Sequence, residues 1–323
     1  MDSTTATPPK CPITGLPARR HIQTVSSRAL RFMWRVGFGV RTVRELDGIP
    51  RFELWESPCG LAFFDPMIAG DKDFYADCYR RLGEMGAWTS RPVERSDYRR
   101  IAGLINPGES LLDVGCGPAG LARYVPHARY LGLDPAAPRA NVCNETLLTH
   151  AATHSGEYDA VCSCHVVEHV ADPVGFATDM VRCLRSGGRL FLVVPSWPSA
   201  ITAIPNFALN GPPHHLTWWT PEALKALTET LGLELEAIEY LPRSVEYSLI
   251  YWMGWAAPKL RGGRYFHHAE AAYLSLLWSW LAGRALNFLF HMPPGTRSFE
   301  LLLIARKPGQ GDSPCADNSP AVD

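Results

Sequence analysis

The residues whose types and spacing most directly imply chemistry are Asp113-Val-Gly-Cys-Gly117 and, further along, Asp134. Leu111 to Val114 is a short apolar run that reads as a buried strand. It enters a glycine-rich turn reaching Gly120, and a helix is predicted from about Leu121. A second apolar run, Tyr130-Leu-Gly-Leu, ends in the acid Asp134. Strand, glycine turn, helix, strand, acid is the βαβ arrangement that holds a nucleoside-bearing cofactor. The glycines let backbone approach the ligand. A carboxylate at the tip of the second strand can accept hydrogen bonds from both ribose hydroxyls. Gly115, Gly117 and Gly120 satisfy the G-x-G-x-x-G spacing, which many nucleotide folds share.

The acid ahead of the turn narrows the choice. A helix N-terminus holds a pyrophosphate well, but Asp113 precedes Gly115 on the strand, and an anion there favours a cationic ligand. S-adenosylmethionine carries a sulfonium and an ammonium and no phosphate. At this point the chain resembles the class I S-adenosylmethionine-dependent methyltransferases, whose first motif is D/E-x-G-x-G-x-G. The family's third glycine falls at Ala119, with Gly120 standing in for it. Glu157-Tyr-Asp-Ala-Val-Cys-Ser-Cys-His-Val-Val-Glu-His-Val-Ala-Asp-Pro173 resembles the family's fourth-strand segment. In that reading Tyr158 to Cys164 is the strand and His165 to Val170 begins the next helix. Val181 to Pro195 resembles its helix, Gly-Gly turn and fifth strand.

The resemblance implies that Asp134 holds the ribose, that the Gly115–Gly117 turn with Cys116 lies under the methionine portion, and that Asp113 helps neutralise the ammonium. Pro135, with Asn144 or Glu145, would border the adenine or ribose edge. Ser163 and His165, at the carboxyl end of the fourth strand, would line the methyl-transfer mouth, where ligands sit in open α/β sheets. Glu168-His169 resembles the Glu-His pair of sugar C-methyltransferases, which place a Tyr before the Glu where this chain has Val167. His169 is a candidate base because imidazole titrates near neutrality, although the pair can also cap and pack its helix. His214 and His215 lie in a loop that relatives fold over the substrate, and either could be base or substrate ligand. His150 and His154 read as surface residues of a helix. The implied cofactor is S-adenosylmethionine, and the implied reaction is methyl transfer to a small molecule, whether sugar, natural product or lipid-linked intermediate. The alternative is a non-catalytic binding or scaffold protein with a methyltransferase fold.

The elements that must position these groups suit an α/β, doubly wound, Rossmann-like seven-stranded sheet. It carries a small N-terminal ribbon-like module and a helical insert before the last strand. A chain of 323 residues, 46% hydrophobic and 20% charged, is long enough for one large or two modest domains. A net charge of −1 offers no electrostatic case for nucleic acid. The arginines at 19, 20, 28, 31, 35, 41 and 44 read as a solvated face. Nine cysteines form no secreted framework, and the polar opening Met-Asp-Ser-Thr-Thr is no signal peptide, so a reducing cytoplasm is expected.

Residues 1–10 read as a disordered start and 309–323 as a disordered tail, flanking a module at 11–90 and a methyltransferase domain at 91–308. The module resembles the zinc ribbon that precedes some methyltransferase domains, but Thr14 and Glu56 stand where two thiolates would be, beside Cys11 and Cys59. Four good ligands are needed, so no metal residues are expected. The ribbon should rely on Phe52, Leu54, Leu61 and Phe63, with Cys78 or His21 the only rescuing ligands. In the domain, Thr220 and Pro221 read as N-cap and first position of a helix ended by Gly232, followed by a strand from Glu234 to Tyr240. Residues 245–292 hold two Trp-rich helical patterns, Val245 to Lys259 and His268 to His291, joined by Arg261-Gly-Gly-Arg264. Arg284 and Asn287 argue against a bilayer span. The insert is expected to close the acceptor pocket, with a homodimer or membrane-surface contact as the other uses.

Overall fold

The protein is described here as a computed structural model covering residues 7–41, 43–84, 94–136, 142–242, 248–258, 265–267, 270–290, 293 and 298–309. Most of the expected disordered start and tail, the 90/91 boundary and the Arg261–Arg264 joint lie outside these residues.

The chain begins with β1 (Arg20–Ser26), α1 (Ser27–Phe38), β2 (Arg51–Glu56), β3 (Ala62–Asp65) and α2 (Lys72–Glu84). There follow α3 (Ser96–Ala102), β4 (Ser110–Val114), β5 (Arg129–Leu133), β6 (Val142–Cys143), α4 (Leu147–Thr153) and β7 (Tyr158–Cys164). Next come α5 (Pro173–Cys183), β8 (Leu184–Pro195), β9 (Thr217–Trp218), α6 (Pro221–Thr230) and β10 (Glu234–Tyr240). The chain closes with α7 (Ser248–Ala256), α8 (Glu270–Leu289) and β11 (Glu300–Arg306).

The large sheet runs β10-β11-β8-β7-β4-β5-β6. β4 through β8 pair in parallel, while β11 runs antiparallel to both β8 and β10. β4 has β5 on one side and β7 on the other, so the strand order reverses there. The carboxyl ends of β4 and β7 flank the crevice where such sheets bind ligands. β4 is buried throughout, as a parallel strand covered on both faces must be. One face packs under α5 and α6 through Leu112, Val161, Met180 and Leu224. The other packs Leu111, Phe191 and Ile304 against Ile101 and Leu121.

Two expected helices are shorter or later than the sequence suggested. After the glycine turn there is only a 3-10 turn, Gly120–Arg123. Pro126 would fall inside the second turn of a helix begun at Leu121, where it removes an N–H and clashes with the preceding turn. After β7, Val167–His169 is again a 3-10 turn, and α5 starts only where Asp172 accepts from the Gly175 N–H and Pro173 presets the first helical position. α6 begins as expected, with the Thr220 hydroxyl accepting from Ala223 N–H.

The N-terminal strands form a second sheet, β1-β2-β3-β9, in which Ala62 pairs with Trp218 and Phe63 with Thr217. The ribbon-like sheet therefore takes its last strand from the loop ahead of α6. Phe52, Leu54, Leu61 and Phe63 are all buried. A third apolar cluster joins α1, α2 and the insert around Trp34, Phe74, Trp218, Met253 and Phe266. The insert lies between β10 and β11, with helices shorter than predicted and residues 243–247, 259–264, 268–269 and 291–292 outside the described set. Among the described residues no helix is long and apolar enough to cross a membrane.

Candidate active site

The turn after β4 is built by backbone conformations that side chains resist. Gly115 and Gly117 have φ of 71° and 50°, in the left-handed region that glycine enters freely. A Cβ at Gly115 would run into Val166, so the turn and the segment after β7 touch there. A Cβ at Gly117 would meet nothing within 4 Å. The Asp134 carboxylate lies beside this open backbone and accepts from Gly117 N–H at 2.9 Å and Ala136 N–H at 2.8 Å. A carboxylate has about four lone-pair positions, so both oxygens can still accept from a diol. These features fit the ribose of S-adenosylmethionine. Ala119, where the family has glycine, also sits in the left-handed region, at φ 56°.

The other expected cofactor residues divide by role. Cys116 is buried, its sulfur wedged against Gly132 and 3.7 Å from the Gly117 carbonyl. Pro135 is exposed next to Asp134. Asn144 braces that corner, its amide donating to the Asp134 carbonyl at 3.1 Å. Glu145 instead meets His150 Nδ1 at 2.6 Å and accepts from the Cys143 thiol. His150 is not a surface residue: it is 1% exposed, held between Glu145 and the Tyr158 hydroxyl at 2.8 Å, with His154 stacked on it.

Asp113 lies inside the sheet at 2% exposure, accepting from the Tyr130 hydroxyl at 2.8 Å, with the Cys162 thiol at 3.5 Å. Burial pushes its carboxyl up to about 6, against the two hydrogen bonds. Ser163 does not line the mouth. Its hydroxyl is buried and donates to the Val114 carbonyl at 2.9 Å, tying β7 to β4.

At the end of β7 the chain turns sharply at His165, which adopts φ 58° and donates its N–H to the Val193 carbonyl. Strained conformations of this kind cluster at functional sites. Burial draws the His165 imidazole down, but Glu168 at 3.6 Å and Glu300 at 2.8 Å overcome it and push the ring up to about 10. It is therefore an imidazolium at neutral pH and no base.

His169, His214 and His215 gather beside it, with ring centroids 4.4 Å (169–214), 4.9 Å (169–215) and 4.7 Å (214–215) apart. His169 Nδ1 meets the His214 carbonyl at 2.7 Å, and His214 Nδ1 meets the Leu209 carbonyl at 3.0 Å. A carbonyl only accepts, so each Nδ1 carries the proton and each Nε2 a lone pair. Burial lowers all three imidazoles, those of His214 and His215 far below the usual range, helped by their histidine neighbours. Glu168 is 1% exposed, and its backbone carbonyl accepts the Leu216 N–H, which latches the histidine loop to the β7 segment.

Tyr75 and Tyr79 of α2 cover this cluster. Tyr75 packs on His169 at 5.7 Å and on His214 at 6.0 Å, and Tyr79 on His214 at 6.3 Å. Neither tyrosine was singled out from the sequence, and nothing local to α2 signals them. The insert packs against other elements as well. Its contacts run to α1, where Gly37 faces Leu276, and to the loop at Ala200. Trp34, which shares a core with Met253 and Phe266, lies 6.0 Å from His214. α2 covers the histidines, Phe266 of the insert packs on Gly211 of the histidine loop, and α8 turns Leu274, Trp278, Phe288 and Leu289 outward.

In the ribbon, Cys11 and Cys59 approach to 3.7 Å between sulfurs. The Cys59 thiol, then the Ser57 and Thr14 hydroxyls and the Thr14 N–H, pull the Cys11 thiol down against its burial. Glu56 is engaged by Arg19 and Arg20. Neither proposed rescuer is free to join the pair: Cys78 lies in the core around Trp34, and His21 meets Glu53 at 2.7 Å.

Comparison with known proteins agrees with the geometry. Residues 90–238 match a family model described as a methyltransferase domain. The chain is 33% identical over 115 residues to a ubiquinone biosynthesis O-methyltransferase of Sodalis glossinidius, covering 30% of this chain and 45% of that one. It is 32% identical over 121 residues to an uncharacterized 37.1 kDa protein in transposon TN4556 of Streptomyces fradiae, covering 32% and 35%. The chain thus spans less than half the length of these curated relatives. Among solved structures, a SAM-dependent methyltransferase from Archaeoglobus fulgidus aligns at 18% identity and TM-score 0.41, covering 74% of this chain and 95% of that one. Over residues 90–238 the chain is thus similar to methyltransferase domains, on a sheet of Rossmann-like order.

Proposed function

We propose that the chain binds S-adenosylmethionine along the Gly115–Gly117 turn and Asp134 and directs its methyl group to a hydroxyl of a small, largely apolar acceptor held under Tyr75 and Tyr79. The observation that carries this reading is the Asp134 carboxylate, anchored by the Gly117 and Ala136 N–H groups beside open backbone. When bound, the cofactor supplies a methyl carbon already activated by its sulfonium. The chain's own residues do the rest. Asp134 holds the ribose, and Asp113 offers negative charge beneath the cationic end. Val166, packed on Gly115, positions the segment that carries Glu168 and His169. The tyrosines exclude water over the acceptor, so that alignment and not strong acid-base chemistry carries most of the rate.

Activation of the acceptor falls to the histidine cluster, whose imidazoles are neutral and buried. The relative from Sodalis glossinidius is named for an O-methylation in ubiquinone biosynthesis, which supports an oxygen acceptor on an apolar molecule over sugar carbon. Val167, where the sugar C-methyltransferases have tyrosine, points the same way.

The test is transfer of labelled methyl from S-adenosylmethionine to a panel of phenolic, catecholic and sugar-nucleotide acceptors. Turnover on the phenolic group supports the reading. Turnover only on sugar nucleotides overturns the acceptor class. Tight cofactor binding without turnover on any acceptor favours a non-catalytic scaffold.

A further inference from the structure

We propose that His169, His214 and His215, with the Glu168 carboxylate close by, bind a divalent first-row transition-metal ion. The methyl-transfer reading bears only on what the ion does there, not on whether it binds. Each of the three histidines offers a ring nitrogen, and these nitrogens lie within 4.8 Å of one another. Carbonyls hold the Nδ1 protons of His169 and His214, leaving Nε2 as the ligand atom. This is how metal-binding histidines are oriented from behind.

The cluster also holds unsatisfied polar atoms. His214 Nε2 and both Glu168 carboxylate oxygens are buried with no hydrogen-bond partner. Glu168 Oε1 lies 3.9 Å from His169 Nε2 and 3.6 Å from the His165 ring, contacts of charge and not of hydrogen bonding. A buried lone pair with no donor is costly, and a cation at the histidines would satisfy it. Two other groups of comparable make-up are already satisfied internally. Cys143 and His150 both bond Glu145, while His165 pairs with Glu300 and Asp97 with Arg95.

Three imidazoles and one carboxylate suit Zn²⁺, Co²⁺, Ni²⁺ or Fe²⁺ and are poorly matched to Mg²⁺ or Ca²⁺, which prefer oxygen. Through Val166 the site adjoins the glycine turn. An ion there would take the acceptor's hydroxyl oxygen as a further ligand and lower the pKa of that hydroxyl, as a Lewis acid does.

The test uses EDTA-dialysed full-length protein, titrated with Co²⁺ by visible absorption and with Zn²⁺ by calorimetry. One equivalent should bind, with Zn²⁺ displacing Co²⁺. His214→Gln and His215→Gln should each weaken Zn²⁺ binding at least 100-fold, while a Cys11→Ser, Cys59→Ser double variant should leave it unchanged. S-adenosylhomocysteine binding, measured on the same proteins, reports folding and tests the cofactor reading separately. If a histidine variant fails to fold, Glu168→Gln replaces it. The proposal is overturned if wild-type protein shows no saturable Zn²⁺ or Co²⁺ binding. It is equally overturned if binding survives the histidine substitutions or vanishes with the cysteines.

A different observation carries a second inference. α8 exposes Leu274, Leu277, Trp278, Leu281, Phe288 and Leu289, and the neighbouring α1 exposes Phe32 and Val36 beside Arg28 and Arg35. α1 and α7 contain no acidic residue, and α8 exposes Arg284. Aromatic and aliphatic side chains rimmed by arginines match an anionic bilayer surface. The structure assigns this face to peripheral contact with anionic phospholipid. The protein should co-sediment with vesicles containing phosphatidylglycerol, less so at high salt, and at least tenfold less after Trp278→Ser with Phe288→Ser. Equal binding to pure phosphatidylcholine, no vesicle binding, or self-association on a sizing column in place of vesicle binding would overturn it.

Discussion

Replacing Asp113 by Asn tests the electrostatics of the cofactor cleft most directly. The carboxyl is buried within the sheet and pushed up to about 6, from an ordinary value of 3.8. The native state therefore holds this proton more tightly than the unfolded chain does. Native protein binds more protons between those two values, so stability falls as pH rises through the window and levels off above pH 6. A shift of about two units corresponds to about 3 kcal/mol. Asn cannot titrate, yet its carbonyl can still accept from the Tyr130 hydroxyl. The stability of Asp113→Asn relative to wild type should thus grow by about 3 kcal/mol between pH 4 and pH 7. Urea unfolding at four or five pH values measures it. At pH 7.5 the variant should bind S-adenosylhomocysteine at least tenfold more weakly, because the negative charge opposite its ammonium is gone. A stability difference that stays flat across the range would refute the burial argument. Unchanged affinity would refute the placement of the cationic end.

Three other outcomes follow from particular contacts. Asp134→Ala should weaken S-adenosylhomocysteine binding about 10- to 100-fold by calorimetry, the loss of one or two charge-assisted hydrogen bonds. Ala119→Gly should raise stability by up to about 1 kcal/mol, since relief of the left-handed Cα conformation outweighs the added chain entropy. His165 should make the protein less stable on the alkaline side. Its folded value is raised to about 10, so its contribution is complete below pH 6.5 and is lost as pH rises toward 10. Glu300→Gln, which removes the 2.8 Å partner, should shrink that alkaline loss in a melting series.

The cofactor half of the site was legible because its determinants are local. The glycine turn, Asp113 and Asp134 lie on β4, the turn after it and the end of β5, and the turn depends on backbone conformations that glycine adopts easily. The capped start of α6 was legible for the same reason. The acceptor half was not. Tyr75 and Tyr79 reach His169 and His214 only because α2 folds over the crevice, and no spacing within α2 marks those tyrosines. Ser163 was placed at the right strand end but points inward, since its hydroxyl finds the Val114 carbonyl. His150 read as exposed because its partners, Glu145 and Tyr158, sit on different elements. The helix expected after Leu121 failed on a single residue, Pro126.

The strand that closes the ribbon-like sheet comes from far down the chain. β3 pairs with β9, and the Trp218 ring packs edge-on to Phe64 of β3. During synthesis β1 to β3 leave the ribosome long before Thr217 and Trp218 exist. Until those residues arrive, β3 is a bare edge of aromatic side chains, a template for pairing with other chains. The N-terminal sheet, first to be made, is therefore among the last parts to be finished, and the high contact order of this pairing should slow its formation. A nascent chain arrested before Thr217 should aggregate or recruit chaperones, while one released after Trp219 should not show that exposed edge.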